Sequence, residues 1–307
     1  MNRRSLALAI VTGVLLVACS SGTPQGASNT VAMIPGYGPG GGTTAAVPLG
    51  YTVSTQPISV TLGETDANHM FINLSQSFAQ AGPVTFVVTN SGAKTHEFVV
   101  LQSDTMAADF PIVSFEGETN RIDEDAKGVT NVGETGDMAP GETKTLTIDM
   151  TSGHYAVVCN LQGHYGMGMH QDFYVTPKGA TPVTVSLGET DATHMFLNLS
   201  QSYAPAGKVS FIITNDGTKD HEFVALQTDT MAADFPITGF EGEPDRFNED
   251  AKGITNVGET GDPAMKPGVS MMLTIDMTEG HYALVCNLNG HYAMGMHQDF
   301  WVTPPPV

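Results

Sequence analysis

The sequence predicts an all-β protein made of two β-sandwiches in tandem, and three observations carry that prediction. The chain says nearly the same thing twice: Asp104 to Ile112 recurs letter for letter at Asp229 to Ile237, and Cys159 recurs at Cys286. Each copy is near the size of an independent domain, so this is a duplication and not a solenoid. Within each copy, short runs rich in β-branched residues are bounded by Gly, Pro and Asn, as in Val84 to Thr89, Lys144 to Met150 and Tyr155 to Cys159. No stretch sustains the 3.6-residue apolar period of a helix.

The elements follow in order. Residues 1–18 read as an export signal, with Arg3 and Arg4 as the basic region and Leu6 to Val17 as an apolar core too short to span a membrane. The core ends in Leu16-Val17-Ala18-Cys19, which resembles the lipobox of bacterial lipoproteins, so Cys19 is the expected lipidation site. Residues 19–56 are rich in Gly, Thr and Pro and are expected to form a flexible tether. The first repeat occupies 57–177, Lys178-Gly179-Ala180 is a hinge, and the second repeat occupies 181–303. An insertion near Pro263-Ala264-Met265-Lys266, facing Met138-Ala139, separates the repeats in length. The segment from Thr105 to Asp137 is acidic and irregular, and is expected to be a long loop with a helical turn or two.

Charge narrows the partners. Removing residues 1–18 takes two arginines from the 12 basic side chains and none of the 32 acidic ones, moving the formal charge from −20 to −22. Nucleic acid and anionic lipid are thereby excluded as binding surfaces, because like charges repel at contact. A basic protein partner suits this balance, as does an acidity that serves solubility alone.

The cysteines are three: Cys19, Cys159 and Cys286. The last two hold equivalent places in the two repeats, so each is a lone thiol with a task in its own domain. Outside the cytoplasm an unligated thiol is a liability. In the first repeat a turn delivers His96 before a strand, and a later strand ends in Cys159, followed by His164 and Met169. The second repeat supplies His221, Cys286, His291 and Met296 at the same loop spacing. Two imidazoles, a thiolate and a weak axial thioether suit a copper that cycles between its soft and harder oxidation states. Zinc sites favour more thiolates or a Cys-x2-Cys pair, and neither is present.

These segments resemble the cupredoxins, the blue copper proteins, and the Cys-x4-His-x4-Met loop is nearest to the rusticyanin and sulfocyanin type. The resemblance runs from about Ile58 to Thr303 and implies Greek-key sandwiches, electron transfer and two coppers per chain. It implies the ligands His96, Cys159, His164 and Met169, and His221, Cys286, His291 and Met296. Met167 and Met294 stand two residues earlier and are the alternative axial ligands. Glu97 and Glu222 follow the first histidine where plastocyanins have Asn.

Six further histidines are left over. Strand alternation points His154 and His281 to the face opposite the cysteines. His69, His194, His170 and His297 are ordinary structural candidates from which a second metal site is conceivable. Two-domain nitrite reductases and multicopper oxidases carry His directly beside the loop Cys. Here the neighbours are Val158 and Asn160, Val285 and Asn287, and no His-x-His occurs. An enzyme is therefore not expected. Electron transfer is the leading reading, with copper storage or delivery as the alternative. The expected partner is a redox protein of the cytochrome c or copper oxidase type, met on the outer face of the cytoplasmic membrane or in the periplasm or cell envelope.

Overall fold

The structure, a computed structural model, describes residues 56–305. The signal segment, Cys19 and the tether up to residue 55 lie outside the described residues.

Strand formation follows the alternation of the sequence. In Gly82–Asn90 the residues Val84, Phe86, Val88 and Asn90 turn inward while their neighbours are exposed or half-buried, the two-residue period of a pleated strand with one face on a core. In the first domain β1 (Ile58–Glu64), β2 (Met70–Leu74), β4 (Gly82–Asn90) and β9 (Thr143–Met150) form one sheet, ordered β2-β1-β4-β9. β3 (Phe78–Gln80), β5 (Val99–Gln102), β8 (Thr130–Glu134), β10 (Gly153–Val158) and β11 (His170–Thr176) form the other, ordered β3-β11-β10-β5-β8. β6 (Val113–Phe115) and β7 (Glu118–Arg121) make a separate hairpin.

The second domain repeats this plan. β12 (Thr181–Glu189), β13 (Met195–Leu199), β15 (Gly207–Asn215) and β18 (Ser270–Met277) pair as β13-β12-β15-β18. β14 (Tyr203–Pro205), β16 (Val224–Thr228), β17 (Ile254–Glu259), β19 (Gly280–Val285) and β20 (His297–Thr303) pair as β14-β20-β19-β16-β17. The described residues are thus all-β, two tandem β-sandwiches of the same strand order. The insertion falls where the repeats suggested, since His96 bridges to Met138 and His221 to Met265.

Between the sheets of the first domain lies a core centred on Phe86, Phe98 and Phe173, with ring centroids 5.3 and 5.4 Å apart from Phe86 outward. Phe211, Phe223 and Phe300 repeat it. Each such ring contributes roughly 1.5–3 kcal/mol by leaving water. Cys159 and Met169 belong to this core, and Cys286 and Met296 to its copy.

The segment after β5 departs from expectation. No helical turn forms between Thr105 and Asp137; the only helical residues described are single 3₁₀ turns, Tyr165–Met167 and Tyr292–Met294. Instead Glu116 and Gly117 take positive φ (50° and 85°) and fold the chain into the β6–β7 hairpin. The segment then covers the outer face of β5 and β10, burying Ala107, Phe110 and Ile122 against Leu101, Ala156, Val158 and Tyr165. Its counterpart buries Ala232, Phe235 and Phe247.

Candidate metal centre

Cys159 directly follows β10, and Glu97 and Phe98 lead into β5, the strand paired with β10. Pairing Val158 with Val99 therefore brings His96 to the same end of the sheet as Cys159. The chain then turns through the 3₁₀ segment, where Gly168 takes φ 104°. A Cβ there would come within 3.0 Å of the Met70 carbonyl oxygen, so this position requires glycine on both counts. The turn returns Met169 to the core, with Cys159 N–H donating to its carbonyl oxygen at 3.0 Å.

The result is a convergence of donors. His96 Nδ1 and His164 Nδ1 are 3.2 Å apart, and Cys159 Sγ is 3.3 Å from His164 Nδ1. In the second domain the corresponding distances among His221, His291 and Cys286 are 3.2 and 3.4 Å. Among the described residues these two triads are the His, Cys and carboxylate groups whose ligand atoms all lie within 4.8 Å of one another. His96, Cys159 and Met169 are buried, whereas His164 keeps an edge near solvent.

Burial sets the protonation of the donors. It pushes the Cys159 and Cys286 thiols up to about 12, against amide donors that pull them down. Burial, with the charges of His96 and Lys94, brings His164 down to about 4, and His291 likewise to about 4. His96 is lowered by burial despite the opposing pull of Glu64. At neutral pH the metal-free site therefore offers two neutral imidazoles and a thiol that a bound cation would deprotonate.

These residues fit a copper. Glu64 Oε1 lies 3.0 Å from His96 Nε2, fixing the proton there and leaving the Nδ1 lone pair aimed at the cluster. In the metal-free site a proton on the thiol or on His164 Nδ1 can be shared among these three donors, and a cation that displaces it would be held by all three. Ligands about 2.0–2.3 Å from a shared ion in a trigonal plane stand about 3.5–4 Å apart, a few tenths of an ångström beyond the separations seen.

Several supporting residues were not legible in sequence. Glu64 accepts the amides of Ala93 and Lys94 as well as His96, and Glu189 accepts those of Thr218 and Lys219. Burial raises the Glu64 pKa, but the amides of Ala93 and Lys94 and the imidazole together bring it below the ordinary value. The only signal was the repetition of Leu62-Gly63-Glu64-Thr65-Asp66 at Leu187 to Asp191. The hydrogen bonding around the thiolate, open while Glu replaced Asn, is now defined. The Glu97 amide donates to Cys159 Sγ at 3.4 Å, and its carboxylate accepts the Asn160 amide at 2.9 Å. Glu222 does the same for Cys286 and Asn287.

Met169 and Met296 are fully buried; Met167 and Met294 are half-buried members of the turns, against Gly163 and Gly290. The remaining histidines do not join either triad. His154 lies on the opposite face of β10, between Ser103 O (2.6 Å) and Asp172 Oδ1 (2.8 Å), and His281 repeats this with Thr228 and Asp299. His69 and His194 are exposed beside Asp66 and Asp191, while His170 and His297 rest on the rings of Tyr165 and Tyr292. No second cluster forms from them among the described residues.

Residues 47–186 match the family model of the Sulfocyanin (SoxE) domain. No curated protein sequence matches the chain. Among solved structures, reduced auracyanin from Roseiflexus castenholzii is 19% identical, with 39% of this chain and 97% of that chain covered and a TM-score of 0.27. Copper nitrite reductase from Nitrosomonas europaea is 17% identical over 81% of this chain and 94% of that one, TM-score 0.32. Blue copper oxidase from the same organism is 12% identical over 80% and 85%, TM-score 0.35. At these values the structural likenesses carry no argument about activity. The family match places the likeness to the sulfocyanin domain on the first repeat, and the second repeat carries the same donor set.

Proposed function

We propose that this protein is an extracytoplasmic electron carrier holding one type 1 copper in each domain. His96, Cys159, His164 and Met169 would hold the first, and His221, Cys286, His291 and Met296 the second, each cycling between Cu(I) and Cu(II). The observation that carries this reading is the twofold convergence of two Nδ1 atoms and one Sγ. When bound, copper supplies a one-electron couple at each site. The chain's own residues hold the donors in place. His96 is fixed through Glu64, the thiolate receives the Glu97 amide, and the backbone bond from Cys159 to Met169 closes the loop. Little rearrangement is then required of the ligands when an electron arrives or leaves. His164 and His291 are the half-buried donors of each set, and so the ones nearest solvent for an electron to enter or leave by.

Lone residues Val158, Asn160, Val285 and Asn287 beside the cysteines support a carrier and not an enzyme. The acidic balance supports a basic redox partner, of the cytochrome c or copper oxidase type. Residues 1–19 support export and a lipid anchor on the outer face of the cytoplasmic membrane or in the cell envelope. Redox titration of the reconstituted chain with copper analysis tests the proposal. The expected result is two coppers per chain and an intense visible band in the oxidised form that bleaches reversibly. A colourless chain that takes up and yields Cu(I) would replace it with copper storage or delivery.

A further inference from the structure

The residue after each ligand cysteine is an asparagine with no exposed surface, and in the first domain all its polar groups are spoken for. Asn160 N–H donates to Glu97, Oδ1 accepts Ile122 N–H at 2.8 Å, and Nδ2 donates to Ile122 O and Glu124 Oε1. Its carbonyl accepts Arg121 Nε–H at 2.7 Å. Arg121 stands at the end of β7, with its side chain only 11% exposed. It is aimed by Glu116 and Glu118, 3.0 and 3.4 Å from Nη1, and by the Phe115 ring 5.2 Å away. One residue earlier, Asn120 O accepts the Gly163 amide at 2.9 Å, so the hairpin grips the ligand loop at two points.

The second domain keeps the arginine, its two carboxylates, the aromatic ring, the asparagine and the glycine, with Asp245 and Phe247 in place of Asn120 and Ile122, but not the bond from the arginine to the asparagine carbonyl. Arg246 is aimed by Glu241 and the Phe240 ring, and Gly290 N–H still donates to Asp245 O. Yet Arg246 Nε is buried without a hydrogen-bond partner among the described residues. Its guanidinium has turned its Nη2 toward Glu249, at 3.3 Å, where the Arg121 counterpart stands 4.0 Å from Glu124. A charge-assisted bond to a buried carbonyl is among the stronger single contacts in a protein, and a carbonyl that loses it is left without compensation.

We infer that Arg121 is a positioning residue that splints the first ligand loop through the Asn160 carbonyl, and that the second loop, lacking this bond, is the looser of the two. The consequence is an inequality between sites whose donors are the same: the first retains its metal longer.

The test has two arms, both on the full chain. In the metal-free protein, amide hydrogen exchange is followed at Gly163 in Arg121→Lys and at Gly290 in Arg246→Lys. Lysine keeps the charge among the carboxylates but cannot reproduce the Nε–H donor. Exchange at Gly163 should rise about tenfold, while Gly290 changes by less than about twofold. In the second arm, which alone rests on the copper reading, Cu(I) is withdrawn by bathocuproine disulfonate. Arg121→Lys and Arg121→Gln are made with Cys286→Ser, and Arg246→Lys with Cys159→Ser. Release should quicken about tenfold in both Arg121 variants and stay unchanged in Arg246→Lys. Unchanged Gly163 exchange, equal responses in the two domains, or a lysine that behaves as arginine would each overturn the inference. A chain that binds no copper would overturn the proposed function and leave the exchange result to decide this one.

Discussion

In the first domain Glu64 meets His96 Nε2 at 3.0 Å in hydrogen-bond geometry; in the second, Glu189 stands 3.2 Å from His221 Nε2 in an ion pair of poorer geometry, and no other group among the described residues bonds that nitrogen. The donors nevertheless coincide between the domains to within 0.1 Å, at 3.3 and 3.4 Å for the sulfur–imidazole pair and 3.2 Å for both imidazole pairs. The two sites have thus kept the inner set and let the bracing drift. On the proposed function the inner donors must all reach one ion, whereas a brace can be weakened without losing the site. The difference teaches that a duplicated centre need not be two equal centres.

The largest effect that can break this comparison is removal of a thiolate. Cys159→Ser and Cys286→Ser should each halve the bound copper and the visible absorbance of the oxidised chain, as read by metal analysis and spectrophotometry. Unequal losses would mean that one site is not of the same type. The cores should answer alike. Phe86→Ala and Phe211→Ala each open a cavity at the centre of a three-ring cluster, at a cost of about 3–5 kcal/mol to their own domain in denaturant unfolding.

A pH series on the metal-free chain comes next. Burial pushes Glu97 and Glu222 up to about 7 from an ordinary value of 4.5, with the Asn160 and Asn287 amides opposing. The folded state then holds a proton that the unfolded state has lost, so stability falls as pH rises from about 4.5 to about 7, by about 3 kcal/mol per carboxyl. His164 and His291, depressed to about 4, act in the other direction. Their contribution is lost as pH falls from about 6.5 to about 4, where the unfolded imidazoles protonate and the buried ones do not. In Glu97→Gln with Glu222→Gln, the loss toward neutral pH should shrink to the part left by Glu249, whose carboxyl is also raised by burial, while the loss toward acid remains, as followed by thermal unfolding. An undiminished loss toward neutral pH would move its origin elsewhere.

The smallest effect sharpens the bracing itself. Glu64→Gln should weaken copper binding to the first domain by about tenfold, and Glu189→Gln should weaken the second by less, in chelator competition. Equal losses would make the hydrogen-bond difference inconsequential.

What sequence could reveal depended on how local each feature is. Cys159, His164 and Met169 lie within one loop, and their recurrence with Cys286, His291 and Met296 made the donor set legible. His96 could be joined to them only through its place before a strand. Glu64, by contrast, lies 32 residues from the histidine it holds, and Arg121 lies 39 from Asn160. A glutamate or arginine on an acidic chain has too many ordinary roles to be singled out at such range. The segment from Thr105 to Asp137 was misjudged as partly helical because its charges obscured the turn at Glu116-Gly117. The structure directs those carboxylates onto Arg121. His154 and His281 were readable as far as their face, through strand alternation, but not in their contacts.

The most direct measurement is anomalous diffraction at the copper edge from crystals of the copper-loaded full chain. The account expects two peaks, one bounded by His96 Nδ1, His164 Nδ1 and Cys159 Sγ and the other by His221 Nδ1, His291 Nδ1 and Cys286 Sγ. A single peak, or copper seated at His69, His154, His170 or their copies, would contradict it.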